Sequence, residues 1–177
     1  MSIAKNIANF PVTNGYLLSL SKKLKLPVKD VVPCDFLPLI KLRKNQCVIV
    51  NLDPSHRPGS HYIVLWNEGN NKYFYFDSLG LPCTNTDILS YINTSRAKAR
   101  NNFRYMGELV YSDKVIQAPL SFFCGFFCIA YIASRKLKMS LNDFYDIFLQ
   151  FPYEIEKNDN LVIDFITEYL NETKRKK

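Results

Sequence analysis

The segment Gln117-Ala-Pro-Leu-Ser-Phe-Phe-Cys124-Gly-Phe-Phe-Cys128 sets a cysteine where loop gives way to an apolar helical pattern, with a glutamine seven positions before it. Far earlier stand His61, in the apolar run SHYIVLWN, and Asp77, near the end of the run KYFYFDS. A thiol, an imidazole, a carboxylate and a side-chain amide are the parts that nucleophilic attack on an acyl group requires. They supply the attacking atom, the base that takes its proton, the group that orients the base, and a donor for the oxyanion.

Each residue also has an ordinary structural role to set against that chemistry. A free cysteine often serves as a small buried hydrophobe. Cys124 differs in standing at a helix start, where unpaired N–H groups and the positive end of the helix dipole favour an anion, and thiolates are the reactive form of cysteine. Gly125 is expected to let a substrate backbone pass close by. Cys128, one helical turn later and deeper in the apolar run, reads as core packing. Of the two histidines, His56 lies in a loop between Pro54 and Pro58, a loose place for a base, whereas His61 opens a strand. In a hairpin closed at Gly69-Asn70, His61 and Asp77 come near-opposite across the ladder, where paired backbones approach to about 5.5 Å. The carboxylate can then hold one ring nitrogen and aim the other at the thiol. Gln117, just ahead of the helix, can donate to an oxyanion together with the Cys124 backbone N–H.

The elements that must position these residues follow from periodicity and breakers. Leu17, Leu18, Leu20 and Leu24 predict a helix over Tyr16–Leu26. Pro27, Pro33 and Pro38 predict an irregular stretch after it. Gln46–Leu52 reads as a buried strand, Asp53–Gly59 as a loop, and Ser60–Asn67 and Lys72–Ser78 as a hairpin about the turn Glu68–Asn71. Asn85–Arg100 reads as a helix with a capping Asn or Thr, and Leu109–Ile116 as one or two short strands. Helices are predicted over Phe122–Leu137, Leu141–Phe151 and Leu161–Leu170. The expected class is α+β: a central mixed, largely antiparallel sheet flanked by helices, with Cys124 at the N-terminus of a core helix.

The chain has 177 residues, 47% of them apolar, which suits one domain with its own core. Its apolar runs are too short to span a bilayer, and no secretory pattern opens it, so no membrane association is expected. Five irregularly spaced cysteines argue against a disulfide framework, and Cys124-x-x-x-Cys128 has no matching ligand pair for zinc. The formal charge of +7, gathered partly in Arg96–Arg104 and Lys174–Lys177, allows attraction to nucleic acid as well as a solvated surface. Abundant Asn, Lys, Ile and Tyr point to an A/T-biased genome.

These residues resemble those of the adenovirus protease family and its wider clan, which includes the Ulp-type SUMO proteases. CVIVNLDPSHRPGSHYIVLW resembles that family's strand, loop and His-bearing strand. KYFYFDSLG resembles the strand that ends in its acidic residue, and QAPLSFFCGFFC the block that joins glutamine to cysteine. The matched blocks cover residues 46–80 and 117–133. The resemblance implies Cys124 as nucleophile, His61 as base, Asp77 as orienting carboxylate and Gln117 as oxyanion donor, with no metal and no cofactor. It also implies cleavage after small residues such as glycine, in a channel expected to be walled near Tyr62 and Trp66.

The adenovirus enzymes generally carry Glu where this chain has Asp77; the SUMO-protease side carries Asp. No cysteine lies between Cys83 and Cys124, where the adenovirus enzymes join an activating peptide. Stimulation by DNA remains an expectation resting on the positive charge. The function so implied is maturation of viral capsid or core precursor polypeptides, in the virion or in the host cytoplasm or nucleus. Two other readings stand beside it: processing of ubiquitin-like proteins, and an inert basic capsid component that binds nucleic acid.

Overall fold

In the computed structural model, residues 12–70, 72–98, 108–150 and 153–175 are described. Residues 1–11 and much of the basic stretch Arg96–Arg104 lie outside the described residues, as do the last two of the tail. The chain runs α1 (Asn14–Lys23), β1 (Val28–Pro33), a 3-10 turn (Cys34–Leu39), β2 (Cys47–Asn51), β3 (Tyr62–Gly69), β4 (Lys72–Phe76), α2 (Thr86–Lys98), β5 (Leu109–Tyr111), α3 (Cys124–Lys136), α4 (Leu141–Phe148), a short 3-10 turn (Ile155–Lys157) and α5 (Asn158–Arg175). Among the described residues no helix is long and apolar enough to cross a membrane.

The five strands form one mixed sheet in the order β1-β2-β3-β4-β5. The central pairings, β2 with β3 and β3 with β4, are antiparallel; the outer ones, β1 with β2 and β4 with β5, are parallel. The α+β class and the mixed sheet are as the sequence implies. β1 is a correction: the proline-marked stretch holds a strand. Its pairing with β2 is interrupted between Val28 and Val31, and Pro33 is its last residue. That is where a sheet tolerates a residue without an N–H, at the end of an edge strand.

Both faces of the sheet are covered, so its strands are continuous apolar runs rather than alternating ones. Cys47, Ile49, Val64, Trp66, Phe74 and Phe76 face the core shared with α1, α3, α4 and α5. Val48, Val50, Ile63, Leu65, Tyr73 and Tyr75 face the second core, under α2 and the first 3-10 turn. The four aromatics of β4 thus split two and two. Phe76 stacks flat on Tyr131 of α3, with ring centroids 4.2 Å apart and planes within 1°. Such a pair adds about 0.5–1.5 kcal/mol beyond area burial. It also fixes the residue directly before Asp77 against the helix that starts at Cys124.

Gly125 corrects an expectation. A Cβ there would lie 2.9 Å and 3.0 Å from the two methyl carbons of Leu17. The glycine is buried and serves close packing of α3 on α1, not the approach of a substrate.

Candidate active site

Cys124 is the first residue of α3, and Phe123 before it supplies no side-chain cap. The helix is buried from Cys124 to Ser134 and almost wholly apolar over that length because it runs inside the core, so its N-terminus is held rigidly. Ser121 accepts the Phe123 N–H at 3.1 Å and fixes how the chain enters. Cys128 is fully buried as expected; its thiol donates to the Tyr62 carbonyl at 3.4 Å, tying α3 to the residue after His61. Burial pushes that thiol well above the ordinary range.

His61 and Asp77 both lie just outside the ladder, one before β3 and one after β4. The register pairs Val64 with Phe76. Asp77 therefore continues opposite Ile63, and His61 is reached on the diagonal, not straight across. The side chains close that offset: His61 Nε2 donates to Asp77 Oδ1 at 2.8 Å. A carboxylate only accepts, so Nε2 carries the proton and Nδ1 is left for the thiol. Asp77 is 1% exposed and His61 14%. Burial opposes the imidazolium, but hydrogen bonds to Asp77 and Cys124, and their negative charge, outweigh it. They raise His61 from 6.5 to about 9. An imidazolium facing a thiolate is the charge state of a poised cysteine nucleophile.

Residues that sequence reasoning missed hold this arrangement. The Ser112 hydroxyl accepts the Asp77 N–H at 2.9 Å and donates to the Asp77 carbonyl at 3.0 Å. The Leu79 N–H donates to Asp77 Oδ1 at 2.8 Å. Asn51 Oδ1 accepts from the backbone N–H groups of Asp53 and Ser60, fastening both ends of the loop that leads to His61. Gly80, at φ +66°, lies against the Lys114 backbone, where a Cβ would come within 2.9 Å of a carbonyl carbon. The turn after Asp77 can then lie alongside the segment that delivers Gln117. The one available signal was the polar character of Ser78 and Ser112 next to apolar strands.

Gln117 is 2% exposed and fully oriented. Its Oε1 accepts from the Ser78 hydroxyl at 2.6 Å, and its Nε2 donates to the Ser121 carbonyl at 2.8 Å. That carbonyl can only accept, so the amide cannot flip, and a second Nε2 proton is left over. Gln117, His61 and Cys124 line one cleft of about 680 Å³, bounded also by Asn14, Asp53, Arg57 and Phe122. All four residues singled out from sequence thus converge, and His56 lies exposed outside the constellation. Tyr62 borders the cleft. Trp66 does not; it is buried, with the Arg135 guanidinium 4.9 Å over its ring.

A family model described as adenovirus endoprotease matches residues 30–151. The protease of porcine adenovirus A serotype 3 is 23% identical over 128 residues, covering 69% of this chain and 63% of that protein. The chain thus spans less than two thirds of that relative's length. Among solved structures, the crystal structure of an ASFV protease is similar at 16% identity and a TM-score of 0.40. The match covers 91% of this chain and 57% of that one.

Proposed function

The chain belongs to the adenovirus endoprotease family, and from that premise we propose that it is a cysteine endopeptidase that cuts viral capsid or core precursor polypeptides after glycine-type motifs. The observation that carries this reading is the 2.8 Å bond between His61 and the buried Asp77 beside Cys124 at a helix start. Cys124 attacks the scissile carbonyl, and its negative charge is paired with the His61 imidazolium. The tetrahedral oxyanion accepts hydrogen bonds from the free Gln117 Nε2 proton and the Cys124 N–H. His61 then gives its proton to the leaving amine, and a thioester remains on Cys124. Water, deprotonated by the now neutral imidazole, attacks the thioester and releases the acid.

The reading places the enzyme where virion precursors are, in the particle or in the host cytoplasm or nucleus, and DNA is a candidate stimulator because the chain carries a charge of +7. Incubating the protein with virion precursors and mapping the new N-termini tests it. Cuts after glycine that vanish with Cys124→Ala support it. Cleavage confined to ubiquitin-like conjugates favours the processing alternative, which Asp77 in place of Glu also fits. No cleavage of either kind favours the inert capsid component.

A further inference from the structure

The loop that carries Gln117 to Cys124 is anchored by apolar burial only near its ends, at Ala118 and Phe123; the two large side chains between them bury little. Leu120 and Phe122 are 91% and 71% exposed. Between those anchors its position rests on hydrogen bonds. On one side the Ser78 carbonyl accepts the N–H groups of Ile116 and Gln117 at 2.9 Å and 3.1 Å. On the other side stands the first turn of α5, outside the span matched by the family model. The Asn158 Nδ2 donates to the Ile116 carbonyl at 2.9 Å, and the Ser121 hydroxyl donates to Asp159 Oδ1 at 2.7 Å. Ser121 is the junction of the loop: its carbonyl orients Gln117, its hydroxyl receives the Phe123 N–H one residue before Cys124, and Asp159 holds that hydroxyl.

We infer that the first turn of α5 is a positioning element for the oxyanion donors, with Asp159 acting on Gln117 and the Cys124 N–H through Ser121, and Asn158 pinning the start of the loop. This rests on the proposed hydrolytic chemistry. Asp159 has an ordinary reason to stand at a helix N-terminus, where an acid is favoured by the dipole. That reason accounts neither for a bond across 38 residues to a loop hydroxyl nor for the half-burial of the carboxyl, which holds it above its usual range despite the Ser121 bond.

Two readouts separate positioning from mere support. Alkylation of Cys124 by iodoacetamide needs the thiolate but no oxyanion donor, whereas turnover of a fluorogenic peptide amide ending in Gly-Gly needs both. Asp159→Ala should lower kcat for the amide by about 10-fold to 100-fold, the scale of a misplaced reacting group, with KM little changed and the alkylation rate within about twofold of the parent. Asp159→Asn keeps an acceptor for Ser121 and should recover most of the loss. Ser121→Ala should depress kcat as well, and adding Asp159→Ala to it should cost little more. Full turnover by Asp159→Ala, a parallel fall of turnover and alkylation, or failure of Asp159→Asn to recover would each overturn the inference. A parent protein that turns over no amide would instead overturn the hydrolytic reading, and the positioning role with it.

Discussion

Asp77 and Ser78, adjacent in the chain, hold opposite sides of one site: Asp77 Oδ1 accepts from His61 Nε2 at 2.8 Å, and the Ser78 hydroxyl donates to Gln117 Oε1 at 2.6 Å. A single turn after β4 thus sets both the base and the oxyanion donor. Its own geometry is fixed by Ser112 on the backbone and by the close approach of Gly80 to Lys114.

An asparagine at position 77 can still accept from Nε2, but it carries no charge. Asp77→Asn should lower kcat by about 10²- to 10⁴-fold and move the alkaline limb of the pH–rate profile toward lower pH, because the imidazolium loses its strongest partner. A profile unmoved on the alkaline side would contradict the role given to the carboxylate.

Gln117→Ala removes one oxyanion donor and leaves the thiol and imidazole in place. The expected loss is about 10²- to 10³-fold in kcat, with iodoacetamide labelling of Cys124 retained. Ser78→Ala should lower kcat by less, since Gln117 keeps its bond to the Ser121 carbonyl. Equal losses from the two variants would mean that Ser78 does something other than orient the amide.

His61 binds its proton more tightly in the fold, at about 9, than in the unfolded chain, at 6.5. Its pairing therefore stabilises the fold in full below about pH 6.5, and that contribution is lost as the pH rises through about 9. Denaturant titrations across this window should show stability falling with pH. In His61→Ala that slope should flatten; an equally steep fall in the variant would mean that other groups cause it.

Gly125→Val drives new methyl groups into Leu17 and should cost about 1–3 kcal/mol by overpacking. Leu17→Ala alone leaves a cavity and should cost about 2–5 kcal/mol. Together the changes should cost less than their sum, because each relieves the other. Additive losses in equilibrium unfolding would show that Gly125 does not set the distance between α1 and α3.

The convergence of the four candidate residues was legible in the sequence because their elements are strongly patterned. CVIVN and YIVLW are continuous apolar strands, the turn after Glu68 closes a hairpin, and the buried helix begins at the cysteine. Their supports were not legible. β1 was masked by its prolines. Asn51, Ser78, Ser112 and Asp159 act through contacts across 9 to 39 residues, and no local period marks a hydroxyl or amide that binds a distant backbone. The helix that periodicity predicts over Leu161–Leu170 begins at Asn158 and runs to Arg175; its first turn carries polar residues with no apolar period to mark it. The packing role of Gly125 is not legible because its neighbour Leu17, more than a hundred residues earlier, cannot be placed from sequence.

The central claim is that folding makes one of five thiols a nucleophile. Burial pushes the thiols of Cys34, Cys47, Cys83 and Cys128 up, whereas Cys124 faces the His61 imidazolium in an open cleft. Limiting iodoacetamide at pH 6, followed by mass-spectrometric mapping of the labelled cysteines, tests this directly. The account predicts that Cys124 is alkylated first and that His61→Ala abolishes its lead. Labelling spread evenly over the five cysteines, or a Cys124 rate indifferent to His61→Ala, would contradict it.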